Sequence, residues 1–184
     1  YTPARHFQIS TNGVKEGDFT MIYGFPGNTQ EYITSDAVKY IAEISDPKKI
    51  ALRTERLDII GAAQATSSEI RIQYAAKQAS IANAWKKWQG EVLGITRLGT
   101  YDKKVAYEER FRKENPTKAY LLDSLSAAYA RNMEGYFNYE LYSETLNGIE
   151  LQQVVNIAMN DKLTTEEKQA KAALFYKDFK VDVD

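Results

Sequence analysis

VKEGDFTMIYGFPGNTQEYI, residues 14–33, is the stretch of this sequence that decides the fold prediction. It contains an apolar run of β-forming residues, Phe19–Tyr23, which stops at Gly24-Phe25-Pro26-Gly27. Because Phe25 precedes a proline, its backbone is biased towards extended geometry, and the glycines permit positive φ on either side. We therefore predict a strand that ends in a tight, exposed turn. From Asp36 onward, almost all of the sequence has helical periodicity.

A second short strand is predicted at Phe7–Ser10, closed by the turn signal Asn12-Gly13. Strands need partners, and the rest of the sequence offers no obvious ones. We therefore expect a piece of a larger protein, in which residues 1–34 are the end of a β-barrel and residues 35–184 are an inserted helical domain. The predicted fold class is mainly α, an antiparallel helical bundle preceded by a short β-strand segment.

The predicted helices follow from capping residues and helix breakers. Ser35-Asp36 is expected to cap the first helix, and Arg53, Glu55 and Arg56 are placed on an outer face. A cap at Thr66-Ser67-Ser68-Glu69 is expected to restart or bend the helix, and Thr164-Thr165-Glu166-Glu167 is expected to cap the last helix. The predicted segments are Ala37–Ile44, a helix starting at Ser45-Asp46-Pro47, one running from the Ser67 cap to about Gln89, Tyr101–Glu114, Thr117–Asn147, Ile149–Met159 and Thr164–Phe179.

Composition excludes several classes of function. The net charge is −1, with basic residues scattered among acidic ones, so no nucleic-acid surface is predicted. Cysteine is absent and His6 is the only histidine, placed in an ordinary loop or strand edge, so no metal site and no cofactor is predicted. No phosphate-binding loop, no Gly-x-Ser-x-Gly motif and no apolar run of about 20 residues is present. Taken alone, the chain has no catalytic machinery.

The helix that contains Gln73 to Gln89 has two different faces. Bulky apolar residues at spacings of three or four predict a core-facing stripe: Ile70, Tyr74, Ile81, Trp85, Trp88 and Val92. The opposite face has small or polar residues: Ala76, Ser80, Asn83, Lys87 and Gly90. Asparagine is mildly unfavourable within a helix. From spacing alone, Asn83 either faces a ligand or another backbone that approaches closely, or it caps a neighbouring loop or bonds across helices.

The Thr117–Asn147 helix is rich in aromatic residues: Tyr120, Tyr129, Tyr136, Phe137, Tyr139 and Tyr142. Buried tyrosine hydroxyls need hydrogen-bond partners, and Asn132, Asn138 and Glu140 are the nearby candidates. Two interpretations stay open at this point. The helix either lines a peptide-binding cleft or belongs to the bundle core with its edges in water.

Two segments resemble one known family: GDFTMIYGFPGNTQEY, residues 17–32, and SIANAWKKWQGE, residues 80–91. This family is the bacterial dipeptidyl peptidases of trypsin-like fold, serine exopeptidases that remove dipeptides from free peptide N-termini. In that family, a strand of similar sequence leads out of the first β-barrel, and a large helical domain is inserted before the second. The order of strand, Pro-Gly turn and long helices matches across nearly the whole chain.

The resemblance implies a Ser-His-Asp mechanism whose residues lie outside this chain. The histidine and aspartate are expected upstream of Tyr1 and the serine downstream of Asp184, so His6 is not the catalytic histidine. The helical domain is implied to be a lid over the cleft. In the family, an asparagine in a segment like residues 81–86 binds the substrate α-ammonium group, and the match falls on Asn83. Such a charge-assisted bond contributes roughly 1.5–3 kcal/mol.

The resemblance further implies a peptide substrate, a homodimeric parent protein, and export to the periplasm or cell surface. An alternative is a stand-alone helical module that binds a protein or peptide without catalysis, using its strand-like N-terminal arm to pair with a partner's sheet. The pocket that selects the penultimate residue of the substrate is expected in the second barrel.

Overall fold

The computed structural model describes residues 2–25, 27–146 and 150–183. The chain divides into two compact units, Tyr1–Tyr32 and Ile33–Asp184.

The N-terminal unit has no strand among its described residues. Lys15 and Asp18 form a turn, in which the Asp18 N–H donates to the Lys15 carbonyl over 3.1 Å and the Asp18 carboxylate accepts from the Lys15 N–H over 2.7 Å. The Asn12-Gly13 signal is accompanied by a left-handed glycine, since Gly13 has φ +70°.

The predicted strands at Phe7–Ser10 and Phe19–Tyr23 are not confirmed. Phe19 is 90% exposed and Ile22 is 96% exposed. A strand is stable only when its N–H and C=O groups pair with a neighbouring strand, and the described residues contain none. The apolar side chains are therefore in solvent. The predicted Pro-Gly turn includes Pro26, which lies outside the described residues.

The second unit is a helical bundle, as predicted. Its described helices are α1 (Ser35–Tyr40), a π-helix (Ile41–Ser45), α2 (Asp46–Thr66), α3 (Ser68–Arg97), α4 (Thr100–Glu114), a 3₁₀ turn (Pro116–Lys118), α5 (Tyr120–Thr145), α6 (Leu151–Ala158), α7 (Thr165–Asp178) and α8 (Lys180–Val183). The predicted end of the long tyrosine-rich helix at Gly148 and the predicted start at Ile149 lie outside the described residues.

Two of the predicted helix starts have the expected capping geometry. The Ser67 hydroxyl accepts from the Glu69 and Ile70 N–H groups at the start of α3, and Thr164 forms a reciprocal capping box with Glu167 at the start of α7. The prediction that α3 ends near Gln89 was wrong, because the helix continues through two glycines to Arg97. It stops at Gly99, whose φ of +56° suits a glycine.

The direction of each helix follows from the residues that touch. Helices α2 and α3 are antiparallel, because contacts advance along one as they retreat along the other: Thr54 with Trp85, and Gln64 with Arg71. Helix α5 runs parallel to α1 and α2, because its contacts advance together with theirs: Tyr40 with Tyr136, Lys49 with Glu140, and Arg53 with Glu144.

The apolar core lies between α2 and α3. Ile60, Tyr74 and Ile81 are buried together, and Leu57, Ile70 and Val181 pack against them. The C-terminal helices reach this core through Val181, and the Gln73 amide of α3 donates to the carbonyls of Lys177 and Asp178 at the end of α7. Those carbonyls are among the groups that a helix leaves unpaired. The contact with α3 thus gives hydrogen-bond donors to two of the last carbonyls of α7.

Replacing Ile60 by alanine should lower the free energy of unfolding by about 2–5 kcal/mol, because it leaves a cavity beside Tyr74. Urea denaturation of the chain measures this loss. The matched control is the adjacent Ile59, which is 58% exposed whereas Ile60 is 5% exposed. Ile59→Ala should change stability by no more than about 0.5 kcal/mol. Equal losses in the free energy of unfolding for the two variants would contradict the buried position of Ile60.

Candidate functional site

Asn83 lies in the middle of α3, and its side chain is exposed. Its amide makes no hydrogen bond to any of the residues that the structure describes. The interpretation in which Asn83 caps a loop or bonds across helices therefore has no described partner. The small and polar residues predicted on the same face, Ala76, Ser80, Lys87 and Gly90, are also exposed. An alanine Cβ built at Gly90 would meet no atom within 4 Å, so this face is open to an approaching group.

The opposite face of α3 is the predicted apolar stripe. Tyr74 and Ile81 are buried, and Trp85, Trp88 and Val92 are partly buried. The Trp85 indole N–H donates to the Thr54 hydroxyl of α2 over 2.9 Å. The stripe packs against the bundle, so the core-facing prediction for it is confirmed. Asn83 points outward because it lies opposite this stripe.

A polar cluster joins α5 to the first helices, with the carboxylate of Glu140 at its centre. One Glu140 oxygen accepts from the Tyr40 hydroxyl over 2.5 Å. The other accepts from the Ser45 hydroxyl over 2.8 Å and from the Lys49 ammonium over 3.2 Å. Burial raises the pKa of Tyr40 well above its usual value of about 10, and the Glu140 carboxylate raises it further. Glu140 was a predicted partner for tyrosines of its own helix, but its partners come from α1, the π-helix and α2.

The π-helix makes this cluster geometrically possible. In an α-helix, residues five apart such as Tyr40 and Ser45 face directions about 140° apart. The wider π turn closes with the Asp46 N–H on the Ile41 carbonyl, and it turns Tyr40 and Ser45 to the same carboxylate.

Asp46 is a second carboxylate beside Lys49, and unlike Glu140 it is fully buried. It is 1% exposed, and one oxygen lies 3.0 Å from the Lys49 ammonium. The second oxygen is buried and makes no hydrogen bond among the described residues. Burial raises the pKa of Asp46 above its ordinary range, which outweighs the opposing effect of Lys49.

Arg53 connects three helices, although the sequence placed it on an outer face. Its guanidinium forms a two-pronged ion pair with Glu144 of α5, through Nε at 2.8 Å and Nη2 at 2.9 Å. Its Nη1 donates to the Ile81 carbonyl of α3 over 3.1 Å. The guanidinium also lies over the Trp88 ring, 4.5 Å from the ring centroid, as does the ammonium of Lys49.

The tyrosines of α5 are largely at the surface. None of the described side chains in α5 is buried, and Tyr136, Tyr139 and Tyr142 are about half exposed or more. Tyr136 contacts the Tyr40 ring with centroids 5.9 Å apart. Asn132, one of the predicted partners, donates instead to the Ala128 carbonyl of its own helix. Tyr129, Phe137 and Leu141 are partly buried, so α5 lies at the edge of the bundle and contributes no fully buried side chain to its core.

His6 is exposed, and the described residues contain no group of three or more histidines, cysteines or carboxylates placed to hold a metal ion. Within the described part of the chain, no helix has the length and apolar character needed to cross a membrane.

Comparison with known proteins finds one matching family model and relatives that are described as dipeptidyl-peptidases. The family model described as peptidase S46 matches residues 1–178. The Asp/Glu-specific dipeptidyl-peptidase of Capnocytophaga gingivalis is 36% identical over 176 residues, which is 88% of this chain and 25% of that protein. The enzyme with the same description from Flavobacterium psychrophilum is 40% identical over 114 residues, 62% of this chain and 16% of that protein. The dipeptidyl-peptidase 7 of Phocaeicola vulgatus is 32% identical over 149 residues, 78% of this chain and 21% of that protein. The chain thus spans a quarter or less of the length of these curated relatives.

Replacing Glu140 by alanine should lower the free energy of unfolding by about 1–3 kcal/mol, because it leaves the Tyr40 and Ser45 hydroxyls without their acceptor and leaves Lys49 with Asp46 alone. Thermal or urea denaturation measures the effect. Glu134 is an exposed carboxylate on the same helix, so Glu134→Ala is the matched control and should change stability by about 0.5 kcal/mol or less. A Glu140→Ala variant as stable as this control would mean that the cluster does not hold α5.

The raised pKa of Asp46 predicts how the free energy of unfolding depends on pH. Between the ordinary value of about 3.8 and the raised pKa, the carboxyl of Asp46 is protonated more in the folded chain than in the unfolded chain. The free energy of unfolding therefore falls as the pH rises through this range. Asp46→Asn removes this titration. The native chain should therefore lose stability relative to Asp46→Asn as the pH rises from about 3.8 to the raised pKa, measured by denaturation at a series of pH values. A difference that does not change with pH, or that changes with the opposite sign, contradicts this assignment.

Proposed function

The chain belongs to the peptidase S46 family, and we propose that it forms the helical lid of a serine-type dipeptidyl peptidase that releases dipeptides from free peptide N-termini. The observation that carries this proposal is the family match over residues 1–178, together with relatives described as dipeptidyl-peptidases. The match includes the N-terminal unit as well as the helical one. This favours a peptidase over a stand-alone helical binding module.

Asn83 is proposed to bind the α-ammonium group of the substrate. The exposed position of its side chain on α3, without a described hydrogen-bond partner, supports this role. An ammonium group has three N–H donors and no acceptor, so it requires oxygen acceptors such as the Asn83 side-chain carbonyl. The small residues on the same face leave space for a peptide N-terminus to approach the helix.

The charges around Asn83 are compatible with a cationic ligand. Lys87 lies one turn along α3, and its ammonium is paired with the Glu91 carboxylate at 2.5 Å. This pairing directs the Lys87 charge towards the C-terminal end of the helix and partly neutralises it. Lys86 is exposed, where water and salt screen its charge. A neutral amide at position 83 accepts a hydrogen bond from the substrate without adding a carboxylate that would itself need desolvation.

The remaining parts of the proposal rest on the family resemblance. The serine, histidine and aspartate of the catalytic triad would belong to the rest of the enzyme, with no catalytic residue in this chain and no cofactor. The parent enzyme would be a homodimer exported to the periplasm or cell surface. The relatives include enzymes described as Asp/Glu-specific and others described as dipeptidyl-peptidase 7, so the proposal extends to dipeptide release from oligopeptides and not to one penultimate residue.

Asn83→Ala in the full-length enzyme should lower kcat/KM on free-amine dipeptidyl amides about ten- to hundredfold, as loss of a charge-assisted hydrogen bond predicts. The assay uses fluorogenic dipeptidyl amides, each free and N-acetylated. The native enzyme should cleave the free-amine substrates only. Asn138→Ala, which removes an exposed amide from α5, is the control and should leave kcat/KM within about twofold.

Two outcomes would count against different parts of the proposal. Equal cleavage of acetylated and free substrates, or a fully active Asn83→Ala enzyme, would remove the role of Asn83. Failure of the native enzyme to cleave any member of a broad dipeptide panel would remove the peptidase assignment and favour the binding module.

A further inference from the structure

Arg53 is tied to the segment of α3 that contains Asn83. Its Nη1 donates to the Ile81 carbonyl, two residues before Asn83, and its guanidinium plane covers the Trp88 ring. The same group is held by both oxygens of Glu144. The Arg53 and Glu144 side chains are only 17% and 13% exposed, so these bonds are shielded from water more than an ordinary surface pair is.

These contacts fix how α3 is rotated about its axis. Successive residues of an α-helix are about 100° apart, so Asn83 faces about 200° away from Ile81. Holding the Ile81 carbonyl and the Trp88 ring on the inner face therefore holds the Asn83 amide on the outer face. Arg53 acts together with the indole of Trp85, which lies two residues after Asn83 and donates to Thr54, so the inner face of α3 is held on both sides of position 83.

We propose that Arg53 is a positioning residue that sets the orientation of Asn83 for binding the substrate α-ammonium group. The inference rests on the proposed function of Asn83. The guanidinium suits this task because it is planar and has five N–H donors in a fixed fork, which here reach a carboxylate and a backbone carbonyl together. The ammonium of a lysine is a compact point charge on a flexible stem and does not reproduce that fork.

The test is a double-mutant cycle in the full-length enzyme, combining Arg53→Lys with Asn83→Ala. In the native background, Arg53→Lys should lower kcat/KM on free-amine dipeptidyl amides about 3- to 10-fold. The loss should appear mainly in KM, because the ammonium contact is present in both the bound substrate and the transition state. In the Asn83→Ala background, the same change should cost less than about 2-fold, because there is no amide left to orient.

Arg112 provides a matched control. It also pairs with a carboxylate, Asp123 at 2.8 Å, and donates to a backbone carbonyl, that of Ala119 at 3.4 Å. These contacts join α4 to the start of α5 and do not involve α3. Arg112→Lys should therefore have the same small effect, within about 2-fold, in both backgrounds.

Glu144→Gln repeats the test from the other side of the ion pair. It removes the charge that holds the guanidinium while it keeps the size of the side chain, and it should show the same dependence on Asn83. This second variant keeps the inference testable if Arg53→Lys lowers the melting temperature so far that its kinetics cannot be interpreted.

The outcomes separate this inference from the proposed function. In one outcome, Asn83→Ala lowers kcat/KM, but Arg53→Lys and Glu144→Gln cause the same fold loss in the Asn83→Ala background as in the native one. The positioning role is then overturned and the function of Asn83 stands. If Asn83→Ala has no effect, both the function of Asn83 and the positioning role fall. A loss with Arg53→Lys that appears equally in kcat and is matched by Arg112→Lys also overturns the positioning role, because it indicates general destabilisation.

Discussion

Two carboxylates of α5 fix this helix against its neighbours, beside apolar side chains that are only partly buried, and the arrangement of the helical unit depends on these carboxylates. None of its described side chains is buried, yet Glu140 and Glu144 hold Tyr40, Ser45, Lys49 and Arg53. Partly buried charges of this kind bring little net stability compared with a well-packed apolar contact, because they must be desolvated. Their directional bonds select one register between helices, whereas an apolar face permits sliding. We infer that the cluster contributes orientation more than stability.

The π-helix shows how local geometry serves this long-range contact. An uninterrupted α-helix through Tyr40 and Ser45 would turn one of them away from Glu140, so one acceptor site would stay empty and one hydroxyl would be buried without a partner. A buried hydroxyl without a partner costs about 1–3 kcal/mol. The wider turn over Ile41–Ser45 avoids that cost by weakening the regular helix for one turn. A distant carboxylate also satisfies the start of α1, where the backbone N–H and the hydroxyl of Ser35 both donate to Glu108 of α4, at 2.7 and 2.6 Å.

The sequence predicted what is decided locally and missed what is decided across the fold. Ser67 and Thr164 were recognised as caps because both partners lie within three residues, and the apolar stripe of α3 was recognised because its spacing is regular. Arg53 was placed outside because it is a charged residue beside an apolar helical run, and its partner Glu144 is 91 residues away, where no local spacing indicates it. The prediction that Ser35 caps the first helix was wrong, because Ser35 is the first residue of α1 and its N–H donates to Glu108, 73 positions away. The Phe19–Tyr23 strand was predicted from side chains alone, but strands form through backbone pairing, and no partner strand is described.

The exposure of Asn83 has a consequence for how the proposed recognition works. A hydrogen bond formed in open water contributes only about 0.5–1.5 kcal/mol, because it replaces bonds to solvent. The larger contribution of a charge-assisted bond requires that water be excluded around the ammonium group. On α3 itself, Ser80 is small and Lys86 and Lys87 are exposed, so the neighbouring side chains do not exclude water from the amide. The placement of the amide therefore comes from α3 and its attachment through Arg53, whereas the strength of the bond would have to come from whatever covers Asn83 when the substrate is bound. Selectivity for a free N-terminus would then be a property of the closed enzyme, to which this helical unit contributes a fixed acceptor.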